Sequence, residues 1–175
     1  PADNPFAGQD GAAGQVWSLG HRNVQGAAMA PDGALWTLEH GPQGGDELNR
    51  IEKGANYGWP VVSYGENYDG SAVGEGIAHR DGMVEPIYFW DPVIAPGGFA
   101  FYDGAMFADW RGDVIAASLS PGGLVRLTIE AGRVTGEARY FLGEARFRDV
   151  AVDSDGSILA VTDADDGELL RITPE

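Results

Sequence analysis

The chain has 175 residues, enough for one domain and too few for two well-filled ones. Asp and Glu number 27 against 11 Lys and Arg, and the net charge of -16 argues against nucleic acid or an anionic membrane surface as partner. The absence of cysteine excludes disulfide frameworks, zinc-thiolate sites and cysteine nucleophiles, and no apolar run approaches the ~20 residues of a spanning helix, so membrane insertion is not expected.

In chain order, the first notable segment is WSLGHRNVQG (17–26), with Arg22 and Asn23 on a loop just ahead of a strand. APDGALWTLEHG (30–41) reads as an Asp-Gly turn, a short apolar strand and an acidic end, and DELNRI (46–51) as the next strand. After a long loop over 53–95 the pattern returns as GDVIAASL (112–119) and GLVRL (123–127). It returns again as DSDGSILAVTDA (153–164) and GELLRI (167–172). Arg50, Arg126 and Arg171 mark the three endings, near 51, 127 and 172; the last two lie 45 residues apart. That spacing matches the ~40–50 residues of a four-stranded propeller blade. No segment keeps a 3.6-residue apolar period, so helix content near zero is expected. A single sheet cannot cover its own two apolar faces, whereas stacked blades cover each other. The expected fold is therefore all-β: about three four-stranded blades, half of a six-bladed β-propeller.

The densest chemistry lies between 17 and 70. Arg22 and Asn23 could grip an anion. His40-Gly41-Pro42 follows a strand end, where the turn leaves backbone carbonyls facing outward. Exposed carbonyls beside carboxylates suit a hard cation such as calcium, and Asp46, Glu47 and the later Glu85 can supply anionic oxygens. Each feature singly is more often a surface pair or a plain turn. Asp163, Asp165, Asp166 and Gly167 faintly resemble a calcium loop, but its twelfth position falls on Pro174, so these acids read as a solvated turn.

GHRNVQG, EHGPQGGDELN, KGANYGWP, WDPVIAPGGFAFYDG (90–104) and RFRDV (146–150) together resemble the soluble aldose sugar dehydrogenases that use pyrroloquinoline quinone, a family that includes the soluble quinoprotein glucose dehydrogenases. The resemblance runs along essentially all of 1–175 and matches the family's C-terminal half. It implies oxidation of an aldose at its anomeric carbon to a lactone, with pyrroloquinoline quinone and calcium as cofactors. By resemblance, Arg22, Asn23, His40, Tyr68, Arg146 and Arg148 contact the quinone. Gly41 and Pro42 offer carbonyls to the calcium on it. Glu47 and Tyr57 hold a second, structural calcium, with Glu85 and Asn67 as further candidates. Arginine suits the 146/148 positions because its planar fork pairs with carboxylate in two hydrogen bonds.

Two departures stand out. Where members often carry a lysine after Ser118-Leu119, this chain has Ser120. The family's catalytic histidine lies in its N-terminal half, and none of His21, His40 or His79 matches it; His79, in GIAHRDG, reads as solvated. The resemblance thus implies that the missing half is a partner, that the isolated chain is inactive, and that the protein is periplasmic or secreted. The opening PADNPFAG carries no signal peptide, which points to a mature chain, a fragment or a cytosolic protein. The preferred sugar and the electron acceptor leave no mark in the sequence. The competing classes are a calcium-dependent propeller lactonase or hydrolase and a non-catalytic propeller used for binding.

Overall fold

A computed structural model describes residues 3–174. Among the described residues eleven strands form three antiparallel sheets. The first sheet holds β1 (Val24–Met29), β2 (Leu35–Glu39), β3 (Asp46–Arg50) and β4 (Tyr88–Trp90) in sequence order. The second holds β5 (Pro96–Phe101), β6 (Val114–Ser118), β7 (Gly123–Glu130) and β8 (Arg133–Tyr140), again in order. The third has three strands, β9 (Phe147–Val152), β10 (Ile158–Thr162) and β11 (Leu169–Ile172). Among the described residues the only helix is a 3-10 turn at Ala108–Trp110.

The sequence repeat has a physical cause. Each marker arginine sits on the third strand, opposite the second residue of the second strand: Arg50 opposite Trp36, Arg126 opposite Ile115, Arg171 opposite Leu159. From there each reaches an aspartate just ahead of that second strand. Arg50 meets Asp32 at 3.4 Å, Arg126 meets Asp113 at 2.6 Å, and Arg171 meets Asp155 at 2.6 Å. In the first and third sheets the same aspartate also closes its Asp-Gly turn, accepting from the Ala34 or Ser157 N–H.

Two expectations need correction. The arginine strands do not end the sheets: β4 and β8 follow β3 and β7, so the first sheet runs to Trp90 and the second to Tyr140. The segment 53–95 therefore carries a strand of its own, and the third sheet has three strands rather than four among the described residues.

Stacking buries the sheets as blades. Trp36, Leu38, Leu48 and Trp90 of the first sheet meet Phe99, Val114, Ala116 and Leu127 of the second. On the other face Ile115, Ala117 and Leu124 meet Phe147, Val150, Ile158 and Ala160 of the third. Strand β6 alternates strictly between these two cores and is buried along its whole length. The leading strands β1, β5 and β9 pack side by side. Glycine allows this: a Cβ at Gly97 would strike the Arg148 carbonyl, one at Gly98 the Asp149 carboxylate, and one at Gly26 the Phe99 ring.

Candidate cofactor and metal site

The starts of β1, β5 and β9 lie on one rim, joined by the ends of β2, β6 and β10. His40 Nε2 is 2.6 Å from the Pro96 carbonyl oxygen, Arg146 Nη1 donates to the Leu119 carbonyl at 3.1 Å, and the Asp163 N–H donates to the Arg146 carbonyl at 2.8 Å. Arg22 and Gly41 from the first sheet and Arg146 from the third thus come to the same end, with the second sheet between them.

On the first sheet, Arg22, His40, Gly41, Pro42, Glu47 and Tyr57 line one narrow crevice. The Arg22 guanidinium donates from Nη1 to the His40 carbonyl at 3.1 Å and lies 5.2 Å from the Trp59 ring centre. Its Nε is buried without a hydrogen-bond partner, an unusual state for a charged donor. Asn23 is exposed and does not line the crevice, and its side-chain oxygen accepts from Gln25.

Buried Glu39 organises this corner. It accepts from the Arg22 N–H (2.7 Å), the Asn23 N–H (3.4 Å) and Asn49 Nδ2 (2.9 Å), and faces His21 Nδ1 at 2.9 Å. His21 in turn meets Ser18 Oγ at 2.8 Å and stacks on Tyr57. Asn49 also bridges to Glu47 at 3.2 Å, while its own oxygen is buried without a donor. Burial pushes the Glu47 carboxyl up to about 7; the Asn49 hydrogen bond opposes this and the Glu39 charge reinforces it.

Asp46 is the second buried carboxylate, 1% exposed. It accepts from the Gly41 N–H at 2.9 Å, the Ile94 N–H at 2.8 Å and the Ala95 N–H at 2.7 Å. Burial raises its pKa and these three N–H donors hold the rise in check. Ala95 has φ 45°, a left-handed conformation that costs an alanine about 1–2 kcal/mol and needs such anchoring.

Asp163 is a third carboxylate of the rim, half-buried rather than sealed. It lies 2.8 Å from Arg146 Nη2 and 3.1 Å from Arg148 Nη2, so it is the counter-ion of the arginine pair, while Asp165 and Asp166 beside it stay exposed as the sequence suggests. The two arginines lower its pKa. Arg148, with Gln25, Gly26 and Gly97, also lines a recess of about 320 Å³ between the leading strands.

Other expected residues fall elsewhere. Glu47, Tyr57 and Glu85 line one small cavity beneath the crevice, where Glu85 also meets His79 Nδ1 at 2.7 Å. His79 is thus hydrogen-bonded as well as exposed. Tyr57 donates its hydroxyl to the Arg50 carbonyl. Tyr68 is 75% exposed and lines neither the crevice nor the recess. Asn67 caps its own turn through Ser71 and Ala72. Sequence reasoning missed Glu39 as the hub and the work of Asp46 and Asp163; their partners are distant in sequence, and only the acidic strand ends hinted at them.

The residues fit the implied groups. An unpartnered buried arginine nitrogen suits an anionic acceptor. A buried and a half-buried carboxylate sharing one asparagine, the second raised to about 7, suit a nearby cation. Among the described residues no three His, Asp or Glu side chains cluster at metal-binding spacing, so backbone carbonyls must supply much of any calcium shell.

Comparison with known proteins gives these observations a family. The aldose sugar dehydrogenase YliI of Escherichia coli is 39% identical over 99% of this chain and 48% of its own length. A solved glucose dehydrogenase superposes with a TM-score of 0.95 at 42% identity, over 100% of this chain and 51% of its own. The pyrroloquinoline-quinone-bound form of an aldose sugar dehydrogenase from Streptomyces coelicolor matches with a TM-score of 0.73 at 30% identity, over 99% of this chain and 47% of its own. The chain therefore spans about half the length of these relatives. The family model for glucose / sorbosone dehydrogenase matches residues 1–171, and this chain belongs to that family.

Proposed function

We propose that this chain supplies one half of a quinone-dependent aldose dehydrogenase, the C-terminal three blades of a six-bladed propeller, acting on the outer side of the cytoplasmic membrane. The observation that carries the reading is that Arg22 and the Gly41-Pro42 turn of the first sheet lie on the same rim as the Arg146/Arg148 pair of the third, linked across the second. The quinone-bound relative supports pyrroloquinoline quinone as the group to be held there.

In this reading an aldose gives up a hydride from its anomeric carbon and the proton of its anomeric hydroxyl, and leaves as a lactone. When bound, the quinone supplies the hydride acceptor and calcium polarises its reacting carbonyl. Arg22, with Nε free, stabilises the negative charge that builds during transfer. The Gly41 and Pro42 carbonyls would hold the calcium, and Arg146 and Arg148 would pair with carboxylates of the cofactor. Glu47, Tyr57 and Glu85 would hold the structural calcium. The base that takes the hydroxyl proton comes from the other half. Within this chain His21 is engaged at both ring nitrogens, His40 leans on Pro96, and His79 pairs with Glu85. The net charge of -16 does not forbid an anionic cofactor, because diffuse surface charge is screened within about 8–10 Å.

The test is a visible spectrum of the full-length protein with quinone, calcium and glucose. Reduction of bound quinone supports the reading. Hydrolysis of a sugar lactone without quinone binding would place the protein among calcium-dependent hydrolases instead. The 175-residue chain alone is expected to bind weakly and to show no turnover.

A further inference from the structure

Asp46 has more to do than satisfy its own strand. It ties the Gly41 N–H to the Ile94 and Ala95 N–H groups, linking the turn after β2 to the turn before β5. The carbonyls of that second turn continue the connection. The Ile94 carbonyl accepts from Ser118 Oγ at 2.8 Å and from the Ser120 N–H at 3.1 Å. The Ala95 carbonyl accepts from the Leu119 N–H at 3.0 Å. The Leu119 carbonyl then accepts from Arg146, which Asp163 joins to Arg148. One continuous hydrogen-bonded path thus runs from the Gly41-Pro42 turn through the second sheet to the arginine pair of the third.

We infer that Asp46 is a positioning residue, which aims the Gly41 and Pro42 carbonyls and sets their distance from the Arg146/Arg148 pair by holding the 94–96 turn between them. The inference rests on the cofactor reading above. Asp46 is not itself a ligand: its two oxygens are occupied by three backbone N–H groups and its side chain is sealed from solvent. An amide at this position keeps the shape but loses an acceptor oxygen, so at least one of the three bonds fails.

The experiment uses the full-length protein and reads binding, not turnover. Terbium(III) luminescence probes the calcium position, and absorbance titration with pyrroloquinoline quinone in saturating calcium probes the cofactor. Both are normalised to the folded fraction by circular dichroism. Asp46→Asn is expected to weaken both by about 10- to 100-fold, the usual loss when a support of a metal site is removed. Ser118→Ala, which deletes only the Ser118–Ile94 link, is expected to weaken quinone binding in the same direction by a smaller factor while the protein stays folded. A residue that merely held the fold would lower the melting temperature and leave the affinity of the folded fraction unchanged. Unchanged quinone affinity in folded Asp46→Asn overturns the inference; should that variant not fold, unchanged affinity in Ser118→Ala overturns it. Failure of the wild-type protein to bind the quinone at all overturns the cofactor reading itself.

Discussion

Arg22 illustrates how one side chain can be both restrained and available. Its backbone N–H is pinned by Glu39, its Nη1 by the His40 carbonyl and its face by Trp59, yet Nε is buried with nothing to meet. Preorganised donors of this kind are worth most where charge develops in a water-poor site. In the full-length protein Arg22→Ala is expected to lower aldose oxidation by about 10²- to 10³-fold, as loss of one such donor does elsewhere. Arg22→Lys should restore little, because an ammonium cannot place a planar fork on Trp59 and the His40 carbonyl together. Steady-state dye reduction measures both. Asp163 gives a second test at this scale. Its pKa lies below the ordinary value because Arg146 and Arg148 favour its charged form. A depressed carboxyl contributes its stabilisation above the unfolded pKa and loses it as pH falls through the folded one. The arginine pair should therefore stay tied through the neutral range and come loose only in strong acid. Carbon-13 titration of Asp163 should show a midpoint below that of a free aspartate, moving upward in Arg148→Ala.

At the level of the repeated element, the three arginine–aspartate pairs occupy equivalent places but not equivalent surroundings. Arg126 and Asp113 are largely buried, Asp113 also accepts from the Ile129 N–H, and the guanidinium lies 4.9 Å from the Trp110 ring centre. Arg50 and Asp32 are mostly exposed. Removing one partner of a buried pair leaves a stranded charge, whereas an exposed pair is worth about 0–1 kcal/mol. Arg126→Ala should thus destabilise by about 2–3 kcal/mol and Arg50→Ala by less than about 1 kcal/mol, read as shifts in urea midpoint. The repeat was legible in the sequence because each pair spans fewer than twenty residues and recurs with its turn, as Asp32 with Arg50 and Asp155 with Arg171. The fourth strands were not. β4 is three residues long and begins 38 residues past the end of β3 in a glycine-rich loop, and β8 (RVTGEARY) carries three charged residues and lacks the marker arginine. The site divided along the same line. Motif residues such as Arg22 and Gly41-Pro42 were visible, but the carboxylates that hold them act over distance. Asp46 reaches residues 94 and 95, and a linear pattern carries no trace of a backbone N–H partner so far away.

Over the whole molecule, strand edges and charge oppose each other. The outer edge of β11 has no neighbouring strand among the described residues, and Leu169 on it is 68% exposed. An unpaired edge with an exposed leucine is a template for pairing with another chain. A net charge of -16 resists that approach at low salt, but its reach shrinks from about 30 Å at 0.01 M to about 8 Å at 0.15 M ionic strength. Short-range pairing across β11 is not screened in the same way. The isolated 175-residue chain should therefore be largely monomeric at low ionic strength and associate as salt is added, the reverse of what contacts between opposite charges would do. Light scattering coupled to size exclusion reads the mass directly. Leu169→Lys places a charge on the free edge without touching either core, and should keep the chain monomeric at the higher salt. Association that weakens with salt, or that persists unchanged in Leu169→Lys, would show that some surface other than the β11 edge brings the chains together.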